Sequence, residues 1–418
     1  MKLFSIKTLT IAVVLTCVSL LWNGCTPDPS APTGVAPPGI NSSFHITSDV
    51  TWTDINADQS VPDYVVGGNI VIEDDVMLTV MPGVVVEFAN SCDGITIKNG
   101  AISAIGTADK PIEFRGVHHN AGSWIGLQIQ NNDPRNELTY CKVSHAGSGG
   151  CGAEQAAINI SGHLQIYPAQ LKITNTEVSE SGGYGIIIDK VSRFGAFSHN
   201  NIHNSDLAPI RITNPQLGSL DATSNFFTNG SGYNFVDVLG EGLINNNITL
   251  PSLAVPYIVE TGDVRIMNGS LRVAPGVEMR FKPNTAIVVD ELGHGSLVAI
   301  GTAAQGIIFK GTQNIHAAWK GVGIFNASTA NVLRYCTVDG GGQIPQGVLS
   351  SGLANIVVGN TSVNYPYATI ENCIIKNSNG WGIYHGGNPA SNIHPGAINS
   401  NAATANTFIN NTSGNIGF

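Results

Sequence analysis

Between residues 189 and 211 the chain sets out Asp189, Lys190, Arg193, His199, His203, Asp206 and Arg211. Paired carboxylates can donate and take up a proton in hydrolysis, and a basic side chain can abstract one in an elimination. Such a run is conspicuous in a chain with only 11% charged residues, against roughly 25% in an ordinary soluble domain. The second half of the chain offers no comparable set. Polar residues at the turn corners of a repeat would produce the same run, so the expectation is that no group is catalytic. His199, His203, Asp189, Asp206 and Arg211 are the candidates to place.

Aromatic faces are a second resource. Trp381 and its counterpart Tyr184, in "NGWGI" and "GGYGI", are the candidates for stacking on a flat ligand. Trp124 and Trp319 occupy matching places in the two halves and are expected to be packing residues. Cys141 and Cys336 are equivalent "YC" positions, and Cys373 aligns with Thr176; all three read as small buried hydrophobes. No C-x-x-C pair or His/Cys cluster suggests a metal, and no cofactor is expected. The doublets His118-His119 and Asp74-Asp75 lie in turn segments.

The elements that must position these residues show themselves by repetition. "LTVMPGVVVEF" at Leu78–Phe88 returns as "LRVAPGVEMRF" at Leu271–Phe281. Alternate apolar positions mark half-buried strands, and Pro-Gly marks a tight turn that needs positive φ at glycine. The duplication extends through "AISAIGTADKPIEFRG" and "SLVAIGTAAQGIIFKG", then "GSWIGLQI" and "AAWKGVGI", then "LTYCKVSHAG" and "VLRYCTVDGG". Two tandem copies are read at 50–245 and 246–418. Within them "NTEVSESGGYGI", "NNIHNSDLAPI" and "NFFTNGSGYNF" start 25 residues apart. Short β-branched strands, Asn at corners and glycine after them mean a solenoid with three strands per turn. About 15 rungs at ~4.8 Å give a rod of roughly 70 Å.

These phrases resemble the right-handed parallel β-helix (pectin-lyase-like) proteins common as lipoproteins in Bacteroidetes-type bacteria. The resemblance covers nearly all of 50–418 and implies an all-β fold. It implies little about activity, because the superfamily holds polysaccharide lyases, glycoside hydrolases, adhesins and proteins without assigned activity.

Residues 1–24 read as a lipoprotein signal peptide: Lys2 and Lys7, then "LTIAVVLTCVSLLW", then "NG" before Cys25, the expected acylated residue. Residues 25–49, with "TPDPSAPTGVAPPG", read as a Pro-rich tether. Cys92 and Cys151 fall in insertions of the first copy, and in an oxidising envelope compartment they suggest a disulfide. Removal of Lys2 and Lys7 leaves 17 basic against 29 acidic residues, which disfavours a nucleic-acid partner. The reading is a non-catalytic lipoprotein of the bacterial cell envelope, at the outer membrane, that binds glycan or serves as scaffold. The alternative is a polysaccharide lyase or glycoside hydrolase.

Overall fold

The computed structural model describes residues 39–40, 43–162, 167–227, 233–348 and 352–418. Period-two alternation dictates its strands. In Ile112–Gly116 the odd-numbered neighbours Glu113 and Arg115 point outward and are half-buried while Ile112 and Phe114 are fully buried, and Ile307–Gly311 repeats the pattern. Such strands stack in parallel into sheets of eight, fourteen, six, six and seven. Consecutive strands enter different sheets and, through most of the chain, every third strand returns to the first, which is the connectivity of a parallel β-helix. Among the described strands His394–Pro395 runs antiparallel, against Ala354–Thr361. Among the described residues the only α-helix is Ala402–Ala405.

Inward side chains form one continuous apolar core from Ile46 to Ile383. Trp124 and Trp319 are fully buried in it, stacked on Phe88 and Phe281 at 3.9 and 4.2 Å, and each indole N–H donates to a backbone carbonyl at 2.8 Å. They are packing residues. Cys141, Cys336 and Cys373 are buried thiols. The expected signal segment and Cys25 lie outside the described residues. Of the expected tether, Gly39–Ile40 and Phe44–Ile46 are strands of the first rung, and Ile46 is 2% exposed, so the β-helix begins before residue 50.

Glu177, Asn201 and Asn225 stand in register, 24 residues apart each time, one fewer than the sequence spacing suggests. Corner asparagines bond to the backbone of neighbouring rungs, and in the pairs Asn245/Asn268 and Asn355/Asn411 also to one another. Asn200 accepts from Thr176 N–H at 3.1 Å and donates to Ile173 O, and Asn406 does the same for Cys373 and Ile370.

The aligned halves do not lie in the same sheets. Val85–Phe88 belongs to the eight-stranded sheet, whereas its counterpart Glu278–Phe281 belongs to the fourteen-stranded one. Gly126–Ile129 belongs to the fourteen-stranded sheet and its counterpart Gly321–Ile324 to the seven-stranded one. The strand pattern has advanced by one face. The exchange occurs at Val236–Gly240, which pairs with Ile210–Thr213 on one side and, across a bulge at Val238/Leu239, with Tyr257–Gly262 on the other. The fourteen-stranded sheet passes through this seam unbroken, and at ~4.8 Å per strand it is about 60 Å long.

Candidate functional site

The charged run between 189 and 211 does not converge. It is almost one rung long, so it wraps around the β-helix and is dealt out to different faces. Arg193 sits on a six-stranded sheet and donates to Gln170 Oε1 at 2.6 Å. His199 occupies a corner with φ 55°, and Asp206 the bend after the next strand. His203 lies on the eight-stranded sheet, its Nε2 2.9 Å from Glu177 and its ring stacked on Phe227. Only Asp189, Lys190 and Arg211 share a site, a pocket of about 150 Å³ beside the fourteen-stranded sheet that Glu154, Asn159 and Glu241 also line.

Within that pocket Asp189 is occupied. One carboxylate oxygen accepts from the Val191 and Ser192 amides, the other from Ser161 Oγ and the Gly162 amide, all within 3.1 Å. It staples its own loop to the preceding rung. Lys190 faces Glu241 at 3.6 Å. Arg211 donates to Asp237 at 2.8 Å and to the Tyr184 hydroxyl, and its guanidinium lies 4.1 Å over the Tyr184 ring. Burial raises the Tyr184 hydroxyl above its ordinary range, with the Asp237 charge adding to it. Burial likewise raises the carboxyl of Asp237, against the opposing pull of Arg211. Asn159, 7% exposed, donates to Gln128 but has no partner for Oδ1 among the described residues.

Tyr184 is therefore covered on one face by a cation, and Arg211 is committed on two sides. Trp381 is half-buried beside Phe325, Val357 and Tyr384, with the glycines of the next rung, Gly414 and Gly417, against its ring. Both rings are half-buried, and Tyr184 has one face taken by Arg211.

A bare aromatic does exist. Tyr167, 58% exposed, borders a corner cleft of about 490 Å³ with Pro168, Asn99, Gln130, Asn131, Asn132 and Lys98. Asn131 is spent on Gly100 O, Asp133 N–H and Asn136. Lys98 is 3.1 Å from Glu73. Asn99 and Asn132 are exposed and Gln130 half-buried, and none of the three side-chain amides bonds to a described residue. Sequence reasoning passed over Tyr167; the polar run "QIQNND" one rung earlier was the available signal.

One further feature escaped that reading. His145 is 9% exposed and its Nε2 is 2.9 Å from Glu180; His119 lies edge-on to it at 5.1 Å. Burial lowers the His145 pKa, and Glu180 opposes this. Cys92 and Cys151 form a disulfide, Cα to Cα 5.7 Å, that ties two corner loops together. Among the described residues no three His, Cys, Asp or Glu side chains gather as metal ligands. No known protein family, curated protein or solved structure matches the chain.

Proposed function

We propose that this chain is a non-catalytic cell-envelope lipoprotein of the pectin-lyase-like kind, anchored through Cys25, whose β-helix binds glycan at the Tyr167 cleft. One observation carries the reading: an exposed aromatic face beside three amides without partners among the described residues. A ring of that kind packs on the apolar face of a sugar, and amides both donate and accept to hydroxyl groups. Lys98 is balanced by Glu73, so the cleft favours an uncharged glycan over a polyanion. This reading assigns no contact to Tyr184 or Trp381.

The test is affinity electrophoresis of the chain against a panel of neutral and acidic polysaccharides. Retardation by a neutral glycan that Tyr167→Ala abolishes, with melting unchanged, supports the reading. Retention that Tyr167→Ala leaves intact removes the cleft from it. The anchor is tested separately: a palmitate analogue should label the wild type, and Cys25→Ser should lose the label and be released from the envelope.

A second reading keeps the enzyme alternative, on the observation that Glu154 and Glu241 line the same pocket as Lys190 and Arg211. Reducing-sugar and unsaturated-product assays decide between the two. Turnover lost in Glu154→Gln or Glu241→Gln would replace the binding reading with a lyase or hydrolase.

A further inference from the structure

The two ends of the β-helix are finished differently. At the first rungs Trp52 stacks on Tyr64 at 4.9 Å, and Ile46 and Trp52 are 2% and 5% exposed. Asp49 and Asp54 flank that strand, and Asp54 holds Lys110 at 3.0 Å. Charge beside an edge strand is a usual device against pairing with another chain.

At the last rung these devices are missing. Ala397–Ile398, Thr407–Ile409 and Gly414–Gly417 are the terminal strands of three sheets, and each pairs with a neighbour on one side only. Inward residues one rung earlier, Ile370, Ile375 and Ile383, are fully buried, whereas Ile398, Phe408 and Ile416 are only half-buried. Ile409 is 42% exposed and Phe418 91%. No Asp, Glu, Lys or Arg follows Lys376.

We propose that this rung is a docking surface for the same rung of a second copy of the chain, joined tail to tail about a twofold axis. Three observations select a second copy. A twofold axis perpendicular to the stacking direction reverses every strand, so the free edges meet as antiparallel pairs, whose N–H and C=O groups match. With the axis through the centre of Thr407–Ile409, that strand pairs with itself, and Ala397–Ile398 meets Gly414–Gly417 of the other molecule. The half-buried Ile398, Phe408 and Ile416 then close one core against another. Finally, a chain of net charge −10 repels its copies, and a rung without Asp, Glu, Lys or Arg side chains adds none of them to that repulsion.

The measurement is sedimentation velocity on the chain carrying Cys25→Ser, which takes the proposed acyl anchor out of the comparison. The expected result is a concentration-dependent dimer. Thr407 and Ile409 flank Phe408 and are exposed, so Thr407→Lys/Ile409→Lys sets like charges opposite each other across the axis without entering the core. That variant should weaken the dimer at least tenfold at an unchanged melting temperature. Mixing it with Thr407→Glu/Ile409→Glu should restore the dimer as a heterodimer. If the double-lysine variant does not fold, Asn415→Lys, exposed on another of the free edges, takes its place with the same expectation. A chain that stays monomeric, or a dimer untouched by the lysines, overturns the proposal.

Discussion

In the first half of the β-helix the Pro-Gly turn delivers the chain into the eight-stranded sheet; in the second half the same turn delivers it into the fourteen-stranded one. The turns themselves are alike, with φ of 90° at Gly83 and 84° at Gly276. What differs is the face to which they point. Local wording thus specifies strand, turn and strand, while the face is set by how the preceding rung closes. The seam at Val236–Gly240 makes that choice, and its outer side carries Tyr184, Arg211 and Asp237 on three successive rungs.

The largest way to break the comparison is to cut that clamp. Asp237 is nearly buried and Arg211 is its cation, so Arg211→Ala strands a carboxylate at low dielectric and should cost about 3–5 kcal/mol at neutral pH. The pH dependence has a definite sign. The folded pKa of Asp237 already lies above its ordinary 3.8, so this group contributes most at low pH and its contribution falls as pH rises through the folded value. Loss of Arg211 raises that pKa further. The deficit of Arg211→Ala in denaturant melts should therefore shrink on acidification; a deficit that grows with acid would mean that the clamp is not electrostatic.

Next in size is the disulfide, which only the first half possesses. It closes a loop of 59 residues, and Cys92→Ala/Cys151→Ala should cost about 2–4 kcal/mol. Because solenoid stability is nearly a sum of local terms, limited proteolysis should cut first within residues 90–155 and spare the second half. Equal cutting of both halves would show that they unfold as one unit.

The two turn glycines should separate less. Valine at either is forced into positive φ, a strain of about 1–3 kcal/mol. At Gly83 a Cβ would also stand 2.6 Å from Asp54 Oδ2 and disturb its exposed pair with Lys110, while at Gly276 the nearest atom is Ser252 Oγ at 3.2 Å. Gly83→Val should melt lower than Gly276→Val, by no more than an exposed ion pair is worth, about 1 kcal/mol. The reverse order would place the constraint in the backbone of the second turn.

These comparisons also explain what could be read in advance. Alternation and Asn/Gly corners reveal strands and rungs because burial is a property of single residues. The one-face advance leaves no such trace: every strand of a rung has the same inward alternation, so all three faces bury the same pattern. The candidate site suffered from the same geometry. Asp189 to Arg211 is close in sequence and dispersed in space, whereas Tyr184, Arg211 and Asp237, each about one rung from the next, are in contact. Spacing by rung length, rather than adjacency, is the search that finds such groups in a solenoid.

The smallest effect concerns the corner that follows the eight-stranded sheet. There the first half places His145, Glu180 and Asn204 at positive φ, and the second half places Gly340, Asn377 and Asn410 at the matching corners. Glycine and asparagine accept this conformation at low cost, whereas glutamate does not. Glu180→Asn should relieve about 1 kcal/mol of strain and forfeit the pair with His145. Half of Glu180 is exposed, so that pair is worth a few tenths of a kcal/mol, about 0.5 at most. The balance is a gain of about 0.5 kcal/mol, a rise of roughly 0.5–1 °C in melting temperature for a chain of this length. It should depend on pH. Burial holds the folded pKa of His145 below its ordinary 6.5, so its contribution is present above that value and is lost as pH falls through the folded pKa. Without Glu180 the imidazolium loses its counter-ion, and the gain should fade as pH drops below about 6.5. Melting curves of both proteins across that range decide the matter: a variant less stable than wild type at pH 8 would mean that the His145–Glu180 pair outweighs the strain it is built on.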